Sequence, residues 1–411
     1  MDRRPNIIFL FPDQLRADYV GCYGAAFAKT PALDALAAEG VRYERALSMH
    51  PVCVPARAAL LTGCNALSTG VMDNTHWLRP DHGAIGMPSW PSLLSAAGYH
   101  TEGIGKMHFT PWDMSEGFDH RVISEDKRHT LIEDDYAAYL ASHGLKKLRG
   151  WEEEGYVENR MAAISGIPAE HQVDNWVGRT AVDFVSGYGG DKPFACMVAF
   201  PGPHDPYNPP REWAEMFDPA DMPEALPGTA DTERFRAEHI KGHAGGSARV
   251  DLETFPAEAK ARIRAHYCAL VAMIDAQVGA IVAAADARKD GRDTIIIFAA
   301  DHGDFVGDYD FLGKNLFFDP AMHVPLIVRV PGGPRGVSSP EMVTITDIFA
   351  TMLAAAGVKN ETGRDSYPLP AVAPDGSRRA HAIGAIANGV VVDDGRYRLA
   401  RYTNGLATLY D

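Results

Sequence analysis

Cysteine is scarce, and its pattern implies no pairing. The 411-residue chain has five, Cys22, Cys53, Cys64, Cys196 and Cys268, an odd number at irregular spacing that excludes a disulfide framework as the organising feature. Basic residues are outnumbered, 39 Lys and Arg against 54 Asp and Glu, for a formal net charge of -15. General nucleic-acid binding relies on basic surface, so no nucleic-acid partner is expected. A local cluster of Lys, Arg and His can still hold an anionic substrate. The first apolar run, Asn6-Ile7-Ile8-Phe9-Leu10-Phe11, is too short for a signal-peptide core and far too short to span a bilayer. It reads as a buried strand, and a cytoplasmic protein with no membrane partner is expected. No internal repeat or low-complexity tract is apparent.

What is present is a succession of short apolar runs and helical stretches. Strands are expected at Asn6–Phe11, His100–Ile104, Phe194–Phe200, Thr294–Ala299 and Leu326–Val330. Helices are expected at Pro31–Glu39, Pro55–Leu61, Trp90–Ala97, Ile263–Arg288 and Thr346–Ala356. Continuous apolar strands separated by helices predict an α/β fold with a mostly parallel sheet covered on both faces. Ligands of such sheets bind beyond the carboxyl ends of the strands. Asp13, then Lys106 and His108, then His204, then Asp301-His302 follow four of these strands directly. Residues 205–256, rich in Pro, Gly and charge, read as a long excursion with short helices that could wall a pocket. From about Ala380 the pattern changes: Gly389-Val390-Val391-Val392 and Arg396-Tyr397-Arg398-Leu399 flank a turn at Asp394-Gly395, a hairpin signal. The expected division is a catalytic α/β domain over 1–375 and the start of a small C-terminal α+β subdomain over 376–411.

Two groups of residues could carry chemistry. Cys53 precedes Val54-Pro55-Ala56-Arg57. Pro suits a first helical turn and the following residues are good helix formers, so the thiol sits at a helix start with a guanidinium one turn along; both lower a thiol's pKa. Asp13 and Asp301-His302, at the ends of core strands, could bind a divalent metal or simply cap helices. Carboxylates suit Ca²⁺, and the added imidazole widens the choice to Mn²⁺ or Zn²⁺.

The run Cys53-Val54-Pro55-Ala56-Arg57 with Thr62-Gly63 resembles the signature of type I sulfatases and the related phosphonate monoester hydrolases. Gly105-Lys106-Met107-His108, Pro203-His204-Asp205, Asp301-His302-Gly303 and Gly313-Lys314 resemble further family motifs. The resemblance implies an alkaline-phosphatase-like α/β fold and a formylglycine made from Cys53 by a formylglycine-generating enzyme. It also implies one divalent metal, Ca²⁺ favoured, on Asp13, Asp301, His302 and the oxygen at position 53. Gln14 stands where many sulfatases carry a second Asp and could offer its amide oxygen. The implied reaction is hydrolysis of a small-molecule sulfate monoester. The hydrated aldehyde attacks sulfur, Arg57, Lys106 and Lys314 offset charge, His204 assists the leaving alcohol, and His108 takes the proton that releases sulfate. Asn74, twenty-one residues after Cys53, resembles an oxyanion-binding Asn of the phosphonate hydrolase branch, and Asp73-Asn74 is also an ordinary turn pair. The Lys106/His108 pair, which that branch typically lacks, favours sulfate. The alternatives are a phosphonate monoester or phosphodiester hydrolase with the same site, and an inactive metal-binding scaffold with an unconverted thiol. The final Leu409-Tyr410-Asp411 resembles the triplet with which family chains enter a further tail; either the chain is cut short there or that tail is lost, and a homo-oligomer is expected.

Overall fold

The computed structural model describes residues 4–244, 249–361, 365–376 and 378–411. Its strands are β1 (Asn6–Leu10), β2 (Val41–Leu47), β3 (His100–Gly105), β4 (His120–Ile123), β5 (Phe194–Ala199), β6 (Thr294–Ala299), β7 (Leu326–Arg329), β8 (Val337–Thr344), β9 (Ala382–Ile386), β10 (Gly389–Asp393), β11 (Arg398–Tyr402) and β12 (Ala407–Tyr410). The first eight form one sheet in the order β4-β3-β5-β1-β6-β7-β2-β8, and the last four form an antiparallel sheet. The centre of the large sheet, β3-β5-β1-β6, is parallel. Every residue of β1, β5 and β6 is buried, as expected of apolar runs covered on both faces. The expected strand at Leu326–Val330 forms as β7 but runs antiparallel to both of its neighbours, so the sheet is mixed at that side.

Helices cover the sheet in two mutually contacting groups. The 30-residue Ala257–Asp286 helix packs with Val173–Gly187 and Pro31–Ala38; Cys53–Thr62, Trp90–Ala96 and Asp347–Ala355 form the other group. By length and composition the Ala257–Asp286 helix could cross a membrane, but 61% of its apolar window is buried inside the protein. The excursion after His204 departs from the expected short helices: it contains the 15-residue helix Ala230–Ala244. Among the contacts that join the small sheet to the rest, the Phe317 N–H donates to Tyr402 Oη at 3.0 Å and the Ala387 N–H to the Met72 carbonyl at 2.9 Å. Its turn is a four-residue loop in which Asp394 Oδ1 accepts the N–H groups of Arg396 and Tyr397.

One contact between helices carries a pH signature. Asp275 accepts the N–H groups of Ala32 at 3.1 Å and Leu33 at 2.8 Å, at the start of the Pro31–Ala38 helix. Burial pushes its carboxyl up to about 6, against the lowering effect of those two bonds. A folded-state value above the unfolded one means that the native chain holds this proton more tightly. The stability from this group is therefore complete below about pH 4 and lost as pH rises through about 6. Compared with Asp275→Asn in urea unfolding, the wild type should lose ~2–3 kcal/mol between about pH 4 and 7. Parallel pH profiles would contradict this.

Candidate active site

The loops after β1, β3, β5 and β6 converge at one end of the sheet, because parallel neighbours present all their carboxyl ends on the same edge. Gly105 closes β3 in the left-handed region (φ 92°), and a Cβ there would lie 2.0 Å from the Ala199 carbonyl oxygen. Only glycine lets the Lys106–His108 loop leave the sheet this close to β5. Gln14 (φ 72°) and His108 (φ 63°) also hold left-handed backbone. For non-glycine residues this costs of order 1–3 kcal/mol each and is typical of functional loops.

Cys53 begins the Cys53–Thr62 helix, every residue of which is buried. Val52, at the cap position, offers no side-chain acceptor. The Val54 N–H donates instead to Asn74 Oδ1 at 3.0 Å. Asn74 thus caps the helix from another segment while lining the neighbouring cavity.

The Cys53 sulfur lies 3.2 Å from His302 Nε2 and 3.7 Å from Asp13 Oδ1, and the side chain of His108 also reaches it. Burial alone would raise the thiol's pKa. Lys314, His302 and Lys106 reverse that and hold it well below the usual thiol range. Burial and the Cys53 charge likewise push Asp13 up, and Lys106, His204 and Arg57 outweigh them, so its carboxyl stays ionised. His302 is raised despite burial, through Asp301 and Cys53.

Two cations hold the carboxylates from behind. Arg57, 2% exposed, donates Nη2 to Asp13 Oδ2 at 3.2 Å and Nε to Asp301 Oδ2 at 3.1 Å, and its Nη1 reaches the Lys106 carbonyl at 2.5 Å. This guanidinium is committed to positioning. Lys106 Nζ lies 2.6 Å from Asp13 Oδ2 and 2.7 Å from Asp126 Oδ2. Asp301 Oδ1 accepts the Gln14 and His302 backbone N–H groups, each at 2.9 Å.

The donor set fits a divalent cation. Asp13, Cys53, Asp301 and His302 each offer one ligand atom, all within 4.8 Å of one another and all buried. His302 Nδ1 lies 2.9 Å from the Gly303 carbonyl; donating its proton there leaves the Nε2 lone pair facing the cluster. Gln14 is turned elsewhere: its Oε1 accepts from Lys314 Nζ and its Nε2 donates to Asp304 Oδ2, both at 2.5 Å.

His204 Nε2 meets Lys314 Nζ at 2.6 Å, and its Nδ1 faces the Asp205 carbonyl at 2.8 Å and Oδ1 at 3.1 Å. With Nδ1–H donated to Asp205, Nε2 accepts from the Lys314 ammonium, so this pair holds a proton at the mouth of the site.

All eleven residues singled out from the sequence lie at this end of the sheet. The sequence reading missed the struts between them. Asp126 holds Lys106 and takes a two-point contact from Arg128, at 2.9 Å each. Arg128 continues to Asp205 at 3.4 Å. An ion-pair arc therefore runs from Lys106 to His204. The Asp126-Lys127-Arg128 triplet follows β4, a strand the sequence reading did not expect, and recognising that strand would have drawn attention to it. Asp304 fixes Gln14, Tyr207 and the Gly313 N–H.

A family model described as sulfatase matches residues 5–358. The chain is 30% identical over 392 residues to an arylsulfatase of Clostridium perfringens, covering 86% of this chain and 75% of that protein. It is 27% identical over 371 residues to a choline-sulfatase of Rhizobium meliloti, covering 88% and 69%. Its fold superposes on the phosphonate monoester hydrolase of Agrobacterium radiobacter with a TM-score of 0.81 at 25% identity, covering 99% and 89% of the two chains. The chain belongs to the sulfatase family, the sulfuric ester hydrolases within the alkaline phosphatase superfamily.

Proposed function

We propose that this chain hydrolyses sulfate monoesters at a formylglycine made from Cys53, with one divalent metal, Ca²⁺ favoured over Mn²⁺ and Zn²⁺, on Asp13, Asp301 and His302. The observation that most supports this is the buried Lys106/His108 pair beside position 53. When in place, the hydrated aldehyde supplies a hydroxyl nucleophile and the metal offsets charge on it and on the sulfuryl oxygens.

The other roles fall to side chains of this chain. Lys106 is a fixed point charge for the sulfuryl group. Arg57 helps keep Asp13 ionised and orients both Asp13 and Asp301 rather than contacting substrate. His108, whose side chain reaches position 53, is placed to take a proton from it. The proton for the departing alcohol comes from the His204–Lys314 pair, with Asp205 fixing the imidazole tautomer. Asn74 keeps its amide N–H groups for a non-bridging oxygen.

Maturation by a formylglycine-generating enzyme and a cytoplasmic location belong to the same proposal; five free cysteines fit a reducing compartment. Assembly as a homo-oligomer is supported by a row of exposed apolar side chains, Ile383, Leu399 and Leu409, on one face of the small sheet.

A phosphonate monoester or phosphodiester hydrolase is the second reading, favoured by the 0.81 TM-score and by Asn74 at the helix start. The deciding comparison is kcat/KM on an aryl sulfate against an aryl phosphonate monoester and an aryl phosphodiester, using matured protein. Sulfate should lead. A hundredfold preference for either phosphorus ester, about 2.7 kcal/mol of transition-state stabilisation, would overturn the proposal.

A further inference from the structure

A cavity of about 610 Å³ shares Asn74, Asp205 and Lys314 with the candidate site, and its other walls include Trp151, Tyr156 and Arg149. Lys314 is one of the two residues that hold the leaving-group proton, so the cavity begins where the departing alcohol must lie.

Two arginines line it, and they differ in what they are committed to. Arg128 is engaged by Asp126 and Asp205, which neutralise it. Arg149 forms no ion pair among the described residues. Its guanidinium lies 5.3 Å from the Trp151 ring centroid, and that of Arg249, likewise without an ion pair among the described residues, lies 4.2 Å from the same centroid. The neighbouring Glu152 is paired with Lys146 at 3.4 Å and accepts the backbone N–H of Arg149; its attraction to the Arg149 guanidinium is weaker than these contacts. In a chain with a net charge of -15, acidic side chains are plentiful enough to pair surface arginines. Two guanidiniums left on one indole beside the leaving-group cavity form a cationic aromatic wall.

From this arrangement we infer that Trp151 and Arg149 form a specificity subsite for sulfate esters whose alcohol carries a ring and a second anionic group, a carboxylate or another sulfate. Trp151 and the neighbouring Tyr156 supply the apolar wall of the cavity for the ring. The guanidinium, pre-oriented by stacking, offers the two-point geometry that matches either anion. This inference rests on the sulfatase reading above, because that reading places the alcohol in the cavity.

The test uses phenyl sulfate, meta-carboxyphenyl sulfate and meta-phenylene disulfate with matured protein. Wild type should prefer the two doubly charged esters over phenyl sulfate by about tenfold in kcat/KM. Arg149→Ala should bring that ratio close to one, Arg149→Glu should take it below one, and Arg149→Lys should keep part of it. Comparing each ester across variants cancels differences in leaving-group strength. A ratio unchanged between wild type and Arg149→Ala, or a wild-type ratio near one, overturns the subsite. Calorimetric binding of meta-carboxyphenyl sulfate and phenyl sulfate to Cys53→Ala protein, with and without Arg149→Ala, separates the two claims. An affinity preference lost with Arg149 upholds the subsite even where no ester is turned over, and in that case the sulfatase reading is the one that falls.

Discussion

Cys53→Ala should abolish turnover of 4-nitrophenyl sulfate, with a fall in kcat of at least ~10⁴-fold, about 5.5 kcal/mol of lost transition-state stabilisation. The side chain is fully buried, in contact with His302 and near Asp13, so no neighbour can move into its place without vacating its own. Folding should survive. Only a sulfur is removed, and the expected stability change is within about 1–2 kcal/mol. Cys53→Ser sharpens the point. A single hydroxyl can attack sulfur, but no second hydroxyl on the same carbon is there to expel sulfate, so at most one turnover per site is expected in a rapid-quench experiment. Steady turnover by either variant would show that position 53 is not the nucleophile.

Arg57→Ala should be among the most destabilising single changes in the chain. The guanidinium is 2% exposed, and the carboxylates of Asp13 and Asp301 that it bridges are fully buried. Removing it leaves two charges without their shared counterion, which costs ~3–5 kcal/mol for a buried pair of this kind. Contact with the Phe11 ring, 5.1 Å from the guanidinium carbon, is lost as well. The measurement is urea unfolding of protein produced without a formylglycine-generating enzyme, because Arg57 also belongs to the stretch proposed to direct conversion of Cys53. The sign with pH follows from Asp13. Its carboxyl is held below its usual range in the native state, so its contribution is present above the unfolded value of ~4 and lost as pH falls. The deficit of Arg57→Ala should therefore be full at about pH 7 and shrink in acid. Added Ca²⁺ should recover part of it, since the two freed carboxylates suit a hard cation. A deficit below ~1 kcal/mol at neutral pH would contradict the buried-pair account.

The centre of the fold was legible because β1, β5 and β6 are almost wholly apolar, the consequence of burial on both faces, whereas β3, His100-Thr101-Glu102-Gly103-Ile104-Gly105, carries polar residues in its first half. The strands that escaped notice lie at the sides of the sheet. β2 reads Val-Arg-Tyr-Glu-Arg-Ala-Leu and alternates imperfectly, with a register shift between Tyr43 and Arg45. β8 is an edge strand and contains Pro340, and β4 has only four residues; proline and brevity both hide a strand from pattern reading. The Val173–Gly187 helix was missed because Gly178 and several β-branched residues lower its local propensity. It holds through Val173, Val177, Ala181 and Val185, all buried.

The same division applies to the site. Asp13, Lys106, His204 and Asp301 stood out because each follows a legible strand. Asp126, Arg128 and Asp205 owe their place in the arc to contacts between segments apart in sequence, Lys106 with Asp126 and Arg128 with Asp205, which no local pattern displays. Arg57 was expected to offset charge on the sulfuryl oxygens; its hydrogen bonds go to Asp13, Asp301 and the Lys106 carbonyl. Gln14, a candidate ligand from its position beside Asp13, faces Lys314 and Asp304 instead.

The most direct test of the central claim is the mass of the tryptic peptide Ala46–Arg57 from protein co-expressed with a formylglycine-generating enzyme. The account predicts a peptide in which one sulfur and two hydrogens are exchanged for one oxygen, reactive toward hydrazides and inert to thiol alkylation. A peptide recovered entirely as the alkylated Cys53 thiol, from protein that nevertheless hydrolyses sulfate esters, would contradict it.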